Sequence, residues 1–136
     1  MKSLLNTLLI STIALISISS SCKRDPFYPN FDHAGGYVIG KEDCKANPSD
    51  DFWLIDLSYP LNTVTTYGDT ITINGVRYTN MIKTTQLPTD LKTIGKKVSF
   101  DFHLSADKIE TTGCTVSVPK TYKLKTMEVL AAGEIR

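Results

Sequence analysis

The 136-residue chain predicts an all-β domain with a minor helix, and three stretches carry that prediction. Ile71-Thr72-Ile73, Asn74-Gly75 and Val76-Arg77-Tyr78 read as a β-hairpin, because Asn-Gly supplies the two positive φ angles of a type I′ turn. From Lys97 to Ser105 the residues alternate. Val98, Phe100, Phe102 and Leu104 share one face, while Ser99, Asp101, His103 and Ser105 share the other, as in a strand with one face in a core and one in water. Phe52 to Leu57 is a short apolar run between a loop-like stretch at 46–51 and Tyr59-Pro60, and reads as a strand buried on both sides for part of its length.

The remaining elements fill in around these. Gly36 to Lys41 has the aromatic and β-branched content of a first strand, and Asn80 to Thr84 extends the second arm of the hairpin. Leu87 to Gly95 places proline early, Leu91 and Ile94 three apart and glycine last, which suits one or two turns of helix with a glycine C-cap. Thr112 to Val118, carrying Cys114, reads as another short strand stopped by Pro119. Tyr122 to Glu134 reads as a closing strand. Tyr122 and Leu124 alternate in one phase, and Met127, Val129 and Ala131 in the other, so a bulge near Lys125-Thr126 is expected. Several short strands, a hairpin and a brief helix before the long alternating strand predict a small OB-like β-barrel with one short helix, with a β-sandwich as the alternative.

The N-terminus carries an address. Met1-Lys2, an apolar run from Leu4 to Ile18 and small residues before a break make a secretory signal peptide over 1–21. The run is shorter than the roughly 20 residues needed to span a bilayer, and Lys23-Arg24 follow it, which argues against a retained transmembrane helix. Ser19-Ser20-Ser21-Cys22 resembles the lipobox of bacterial lipoproteins in its serine-rich Bacteroidota form, with serine at 19 where many lipoboxes have leucine. That resemblance implies cleavage before Cys22, lipidation of its thiol by acyl chains such as palmitate, and anchoring in the outer membrane on its periplasmic or surface face. Each buried methylene adds about 0.8 kcal/mol, so several chains make the attachment lasting. Residues 22–35 then read as lipidated cysteine plus tether, broken by Pro26 and Pro29, and 36–136 as a single domain.

Beyond the address, Gly40-Lys41-Glu42-Asp43-Cys44, Trp53-Leu54-Ile55, Leu87-Pro88, Leu91, Gly95-Lys96-Lys97-Val98-Ser99-Phe100 and Cys114 resemble a type of small Bacteroidota lipoprotein. The resemblance covers about three quarters of the chain. It implies a fold and a compartment, and brings no activity or site residues with it.

Composition narrows the classes of partner. Without Lys2 the 15 basic residues become 14, matching 14 acidic ones, so the mature chain is neutral. A nucleic-acid binder would show a basic excess. With Cys22 committed to lipid, Cys44 and Cys114 remain as an even pair in an oxidising compartment. A structural disulfide between them is favoured. A reactive thiol or a metal pair is the alternative, without CxxC spacing or an adjacent histidine.

The chain carries few chemical signatures. Asp101 and His103 share one strand face about 7 Å apart, a spacing that suits a metal or an oriented base. Further ligands would have to come from Glu42, Asp43, Asp50, Asp51 or His33, and a solvated strand face is the simpler reading. Asp50-Asp51 lacks the alternating oxygens and central glycine of a calcium loop. No GxSxG, HExxH or glycine-rich phosphate loop occurs, so the sequence predicts no enzyme, no metal and no cofactor. Trp53, amid Phe52, Leu54 and Ile55, reads as core. For an OB-like barrel the possible ligand face comprises Arg77, Tyr78, Asp101 and His103. The expected function is a lipid-anchored envelope binding or accessory module for a glycan, peptide or envelope partner. The alternative is an inhibitor of a host enzyme such as lysozyme, suggested by a faint glycine-x-arginine-tyrosine likeness at Gly75-Val76-Arg77-Tyr78.

Overall fold

A computed structural model describes residues 30–59 and 65–136. The signal peptide, Cys22 and the tether as far as residue 29 lie outside the described residues. Six strands follow in order: β1 (Asp32–Lys41), β2 (Trp53–Tyr59), β3 (Asp69–Ile73), β4 (Val76–Thr84), β5 (Lys97–Ile109) and β6 (Leu124–Glu134). They form one sheet in the order β2-β1-β5-β6-β4-β3, and β2 also pairs with β4. Five strands therefore close a ring, β1-β2-β4-β6-β5, with β3 as a flap on β4. All pairings are antiparallel except β4–β6, which meet in parallel at a single register, Lys83 opposite Thr126. This is the all-β, partly open five-stranded barrel of OB type; one continuous sheet replaces the two facing layers a sandwich requires.

The core inside the ring is the set the alternation predicts. Val98, Phe100 and Phe102 of β5 pack with Val38, Trp53, Ile55, Leu57, Ile82, Leu87, Leu91 and Met127. The hairpin forms as expected, with φ of +50° at Asn74 and +82° at Gly75.

Three expectations are corrected. First, β1 begins at Asp32, inside the expected tether, because Asp32 to Tyr37 pair residue by residue with Phe102 to Lys97. Second, the expected helix is a single 3-10 turn, Thr89–Leu91; Leu91 is buried, while Ile94 stands 68% exposed, so the two do not share a packed face. Third, 112–118 is no strand. Its backbone bonds go to Cys44, through Thr115 and Val116 N–H donating to the Cys44 carbonyl, and the only bridge beyond the named strands among the described residues joins Asp43 to Lys120. The irregularity expected near Lys125-Thr126 is present, where the pair Leu104–Met127 gives way to Lys108–Lys125 with the extra residues on β5, and a second falls at Leu130, between the pairs Asp101–Ala131 and Phe102–Val129.

The phase change at Leu124 also has a packing side. A second cluster of Leu54, Met81 and Leu124, with Ile39, Ile71, Ile73, Tyr78 and Tyr122 against it, lies apart from the main core. Leu54 alternates with Trp53 and Ile55, which belong to the interior, so this cluster occupies the outer face of the sheet. A bulge on β4 brings the hairpin onto that face: Asp69 pairs with Met81 but Ile71 with Tyr78, two steps against three. Asn80 sits in the bulge. Its Oδ1 accepts from Tyr67 and Gly68 N–H at 2.8 and 2.6 Å, and its Nδ2 donates to the Leu57 carbonyl at 2.7 Å.

Candidate functional site

Two loops frame one end of the barrel: 42–52 between β1 and β2, and 110–123 between β5 and β6. In OB barrels the corresponding loops border the usual ligand face. Here they are joined covalently by the disulfide Cys44–Cys114, whose Cα atoms are 4.5 Å apart. Asp51 organises the first loop. Its Oδ1 accepts from Cys44 and Lys45 N–H at 3.0 and 2.8 Å, and Lys41 Nζ lies 3.2 Å from its Oδ2. Burial would raise this carboxyl, but the two backbone donors and the Lys41 ammonium outweigh it and hold the group below its ordinary value. Both of its oxygens are thereby engaged within the turn.

Beneath the second loop lies a charge pair that the sequence reading passed over. Lys83, in the apolar part of β4, and Glu42, just past β1, are both fully buried and 2.9 Å apart. Lys83 Nζ also donates to Thr111 Oγ1 at 2.8 Å and to the Tyr122 carbonyl at 2.7 Å, and rests 4.7 Å from the centre of the Phe52 ring. Glu42 accepts from Tyr122 N–H at 2.9 Å and from the Thr111 hydroxyl. All three donors of the ammonium are thus used, and the 110–123 loop is pinned across the sheet's outer face. Beside Arg77, Thr79, Asn80 and Thr84 in the same strand Lys83 carries no local signal of burial, and its partner could not be read locally.

What remains open on that face is a cleft of about 270 Å³, lined by Ile39, Gly40, Lys41, Leu54, Ile73, Asn74, Ile94, Lys120 and Tyr122. Gly40 forms part of its wall. It lacks a positive φ, and a Cβ built on it would meet nothing within 4 Å. Neither backbone conformation nor crowding therefore requires glycine there. Gly40 stands at a bulge of β1, where Val38 pairs with Ile55 and Gly40 with Leu54, and its missing side chain leaves the backbone open to the cleft.

The residues singled out from sequence are dispersed. Arg77 is exposed on the hairpin, and Tyr78 is half-buried against the second cluster. Asp101 and His103 project from β5, two strands away from β4 in the sheet. Asp101 meets His33 of β1, Nδ1 to Oδ1 2.5 Å, and His103 stands opposite Glu128 of β6. A small hollow of about 80 Å³ there includes His33, Ser99 and Asp101. The Ser99 hydroxyl donates to the Gly133 carbonyl at 3.3 Å, not to the imidazole. Among the described residues no three metal-ligating side chains converge, and no helix is long and apolar enough to cross a membrane.

The class these features define is a disulfide-stapled OB-like barrel with a plugged outer face. No family model, curated protein or solved structure matches the chain.

Proposed function

We propose that the chain is a lipoprotein moored in the outer membrane through Cys22, and that its barrel is a non-catalytic binding module for a glycan, peptide or envelope protein. The N-terminal pattern supports the anchor, and the stapled loops suit an oxidising compartment. The observation that carries the binding reading is the cleft with unobstructed Gly40 in its wall. Replacing Cys22 by Ala is expected to abolish [3H]palmitate incorporation and release the protein from membranes; retention in the membrane fraction refutes the anchor. Gly40→Leu fills the cleft without a clash at Cβ. Solubilised envelope material retained by the native protein and equally by Gly40→Leu removes the cleft from the account.

One observation favours inhibition of a host enzyme. Asn74, Gly75, Val76 and Arg77 are all exposed at the hairpin tip, as an inserting loop requires. Lysozyme activity unchanged at a stoichiometric ratio sinks this reading.

A further inference from the structure

We infer that the cleft takes the C-terminal end of a peptide: a free carboxylate and an apolar last side chain. This inference rests on the cleft being the binding site, as proposed above, and adds what it binds.

Four aliphatic side chains, Ile39, Leu54, Ile73 and Ile94, and the Tyr122 ring supply the apolar wall, and the polar groups around them lean to one sign. Lys41 and Lys120 line the cleft, and no acidic residue does. Of the nearby carboxylates two are committed elsewhere, and the exposed Asp43, opposite Lys120 in their backbone bridge, makes no ion pair with it and does not line the cleft. Asp51 holds the backbone of its own loop along with Lys41, and Glu42 is buried against Lys83. Among the described residues the Lys120 side chain has no ion pair, whereas its backbone is fixed by reciprocal bonds with Asp43. An apolar hollow with an ammonium held at its edge is complementary to an apolar group bearing negative charge.

Two features select a peptide terminus over a small organic acid. Asn74 contributes an exposed amide to the lining, a partner for a peptide group that an alkyl chain would leave unused. Ile94 is 68% exposed, which extends the apolar wall past the hollow to where the preceding residue of a longer ligand would lie. A volume of about 270 Å³ falls just short of the range of roughly 300–1,000 Å³ for small-molecule sites, and suits the tip of a chain whose remainder stays outside. Capture of a C-terminal carboxylate is a recurring recognition mode.

The test uses the full-length lipidated protein in lipid nanodiscs and fluorescence anisotropy. Probes are a labelled hexapeptide ending in Val-Leu with a free carboxylate, the same peptide as its C-terminal amide, and unlabelled decanoate as competitor. The free acid is expected to bind saturably, with the amide at least about tenfold weaker. Lys120→Gln should weaken the acid by a similar factor and leave the amide unchanged. Gly40→Leu should remove both, with the far-UV spectrum preserved. Equal binding of acid and amide, lost in Gly40→Leu, overturns the carboxylate assignment while the cleft survives. Decanoate displacing nothing supports the peptide, and decanoate outcompeting it overturns the peptide assignment. Binding of neither peptide overturns the inference; binding unaffected by Gly40→Leu overturns the inference and the cleft together.

Discussion

Replacing Lys83 by Met removes the ammonium from beneath the 110–123 loop and leaves the Glu42 carboxylate buried with only the Thr111 hydroxyl and Tyr122 N–H as partners. Both side chains are fully buried, so solvent does not screen the loss. Breaking one side of such a pair costs about 3–5 kcal/mol, and in a domain of this size that lowers Tm by roughly 15 °C or more. Glu42→Leu strands the ammonium and should cost a similar amount. The double variant removes both charges. It leaves only the Tyr122 backbone groups and the Thr111 hydroxyl to find new partners, at about 1–3 kcal/mol for each group left buried. The double variant should therefore be less destabilised than the sum of the singles by about 2 kcal/mol. Urea unfolding followed by the fluorescence of Trp53, which sits in the barrel core, measures all four corners of the cycle. Single variants costing under about 1 kcal/mol, or strictly additive costs, would refute the view that this pair pins the loop.

The disulfide closes 70 residues of sequence. Replacing both cysteines by Ser should cost about 4 kcal/mol in the chain-entropy model, read as a lower urea midpoint, and an unchanged midpoint contradicts it. Asp51 is held below its ordinary value in the folded protein. Its contribution is therefore fully present above the unfolded carboxylate value of about 3.9 and is lost as pH falls through the lower folded value. Stability measured from pH 6 to pH 2 should fall less steeply in Asp51→Asn, and parallel curves refute the assignment. Gly68→Ala drives a Cβ into the Met81 carbonyl and should destabilise by about 1–3 kcal/mol, whereas Gly40→Ala meets open space and should be neutral or slightly stabilising. Thermal melts of the pair separate the two glycines, and equal costs would show the space at Gly40 to be wrongly described.

How far the fold was legible follows from the range of the interactions. The Asn74-Gly75 turn and the alternation from Val98 to Leu104 are local, and each formed as its sequence predicts. So did the pairing of Cys44 with Cys114, which parity and compartment favoured. The outer face was not legible, because its burial is conferred by a loop distant in sequence. Leu124 and Met81 are apolar at outward-facing positions and Lys83 is a charge buried there, and only the folded 110–123 segment explains them. The same reason hid the cleft: Gly40, Lys120 and Tyr122 come from β1 and the far loop, with no shared motif. Asp101 was noticed for its spacing to His103, yet its contact is His33, which becomes visible only once β1 lies beside β5.

The barrel's seam has a consequence for motion. Between β5 and β6 the ladder runs from Val98 to Ile109, but between β4 and β6 it is a single bridge at Lys83 and Thr126. Lys83 is thus both the last hydrogen-bonded rung of the ring and the root of the pin that holds the covering loop. Fluctuations that part these two strands must also withdraw that ammonium from Thr111 and the Tyr122 carbonyl of the covering loop. Opening of the wall and lifting of the loop are then one event with one free energy, and amides on both sides of the seam should exchange with deuterium at a common rate.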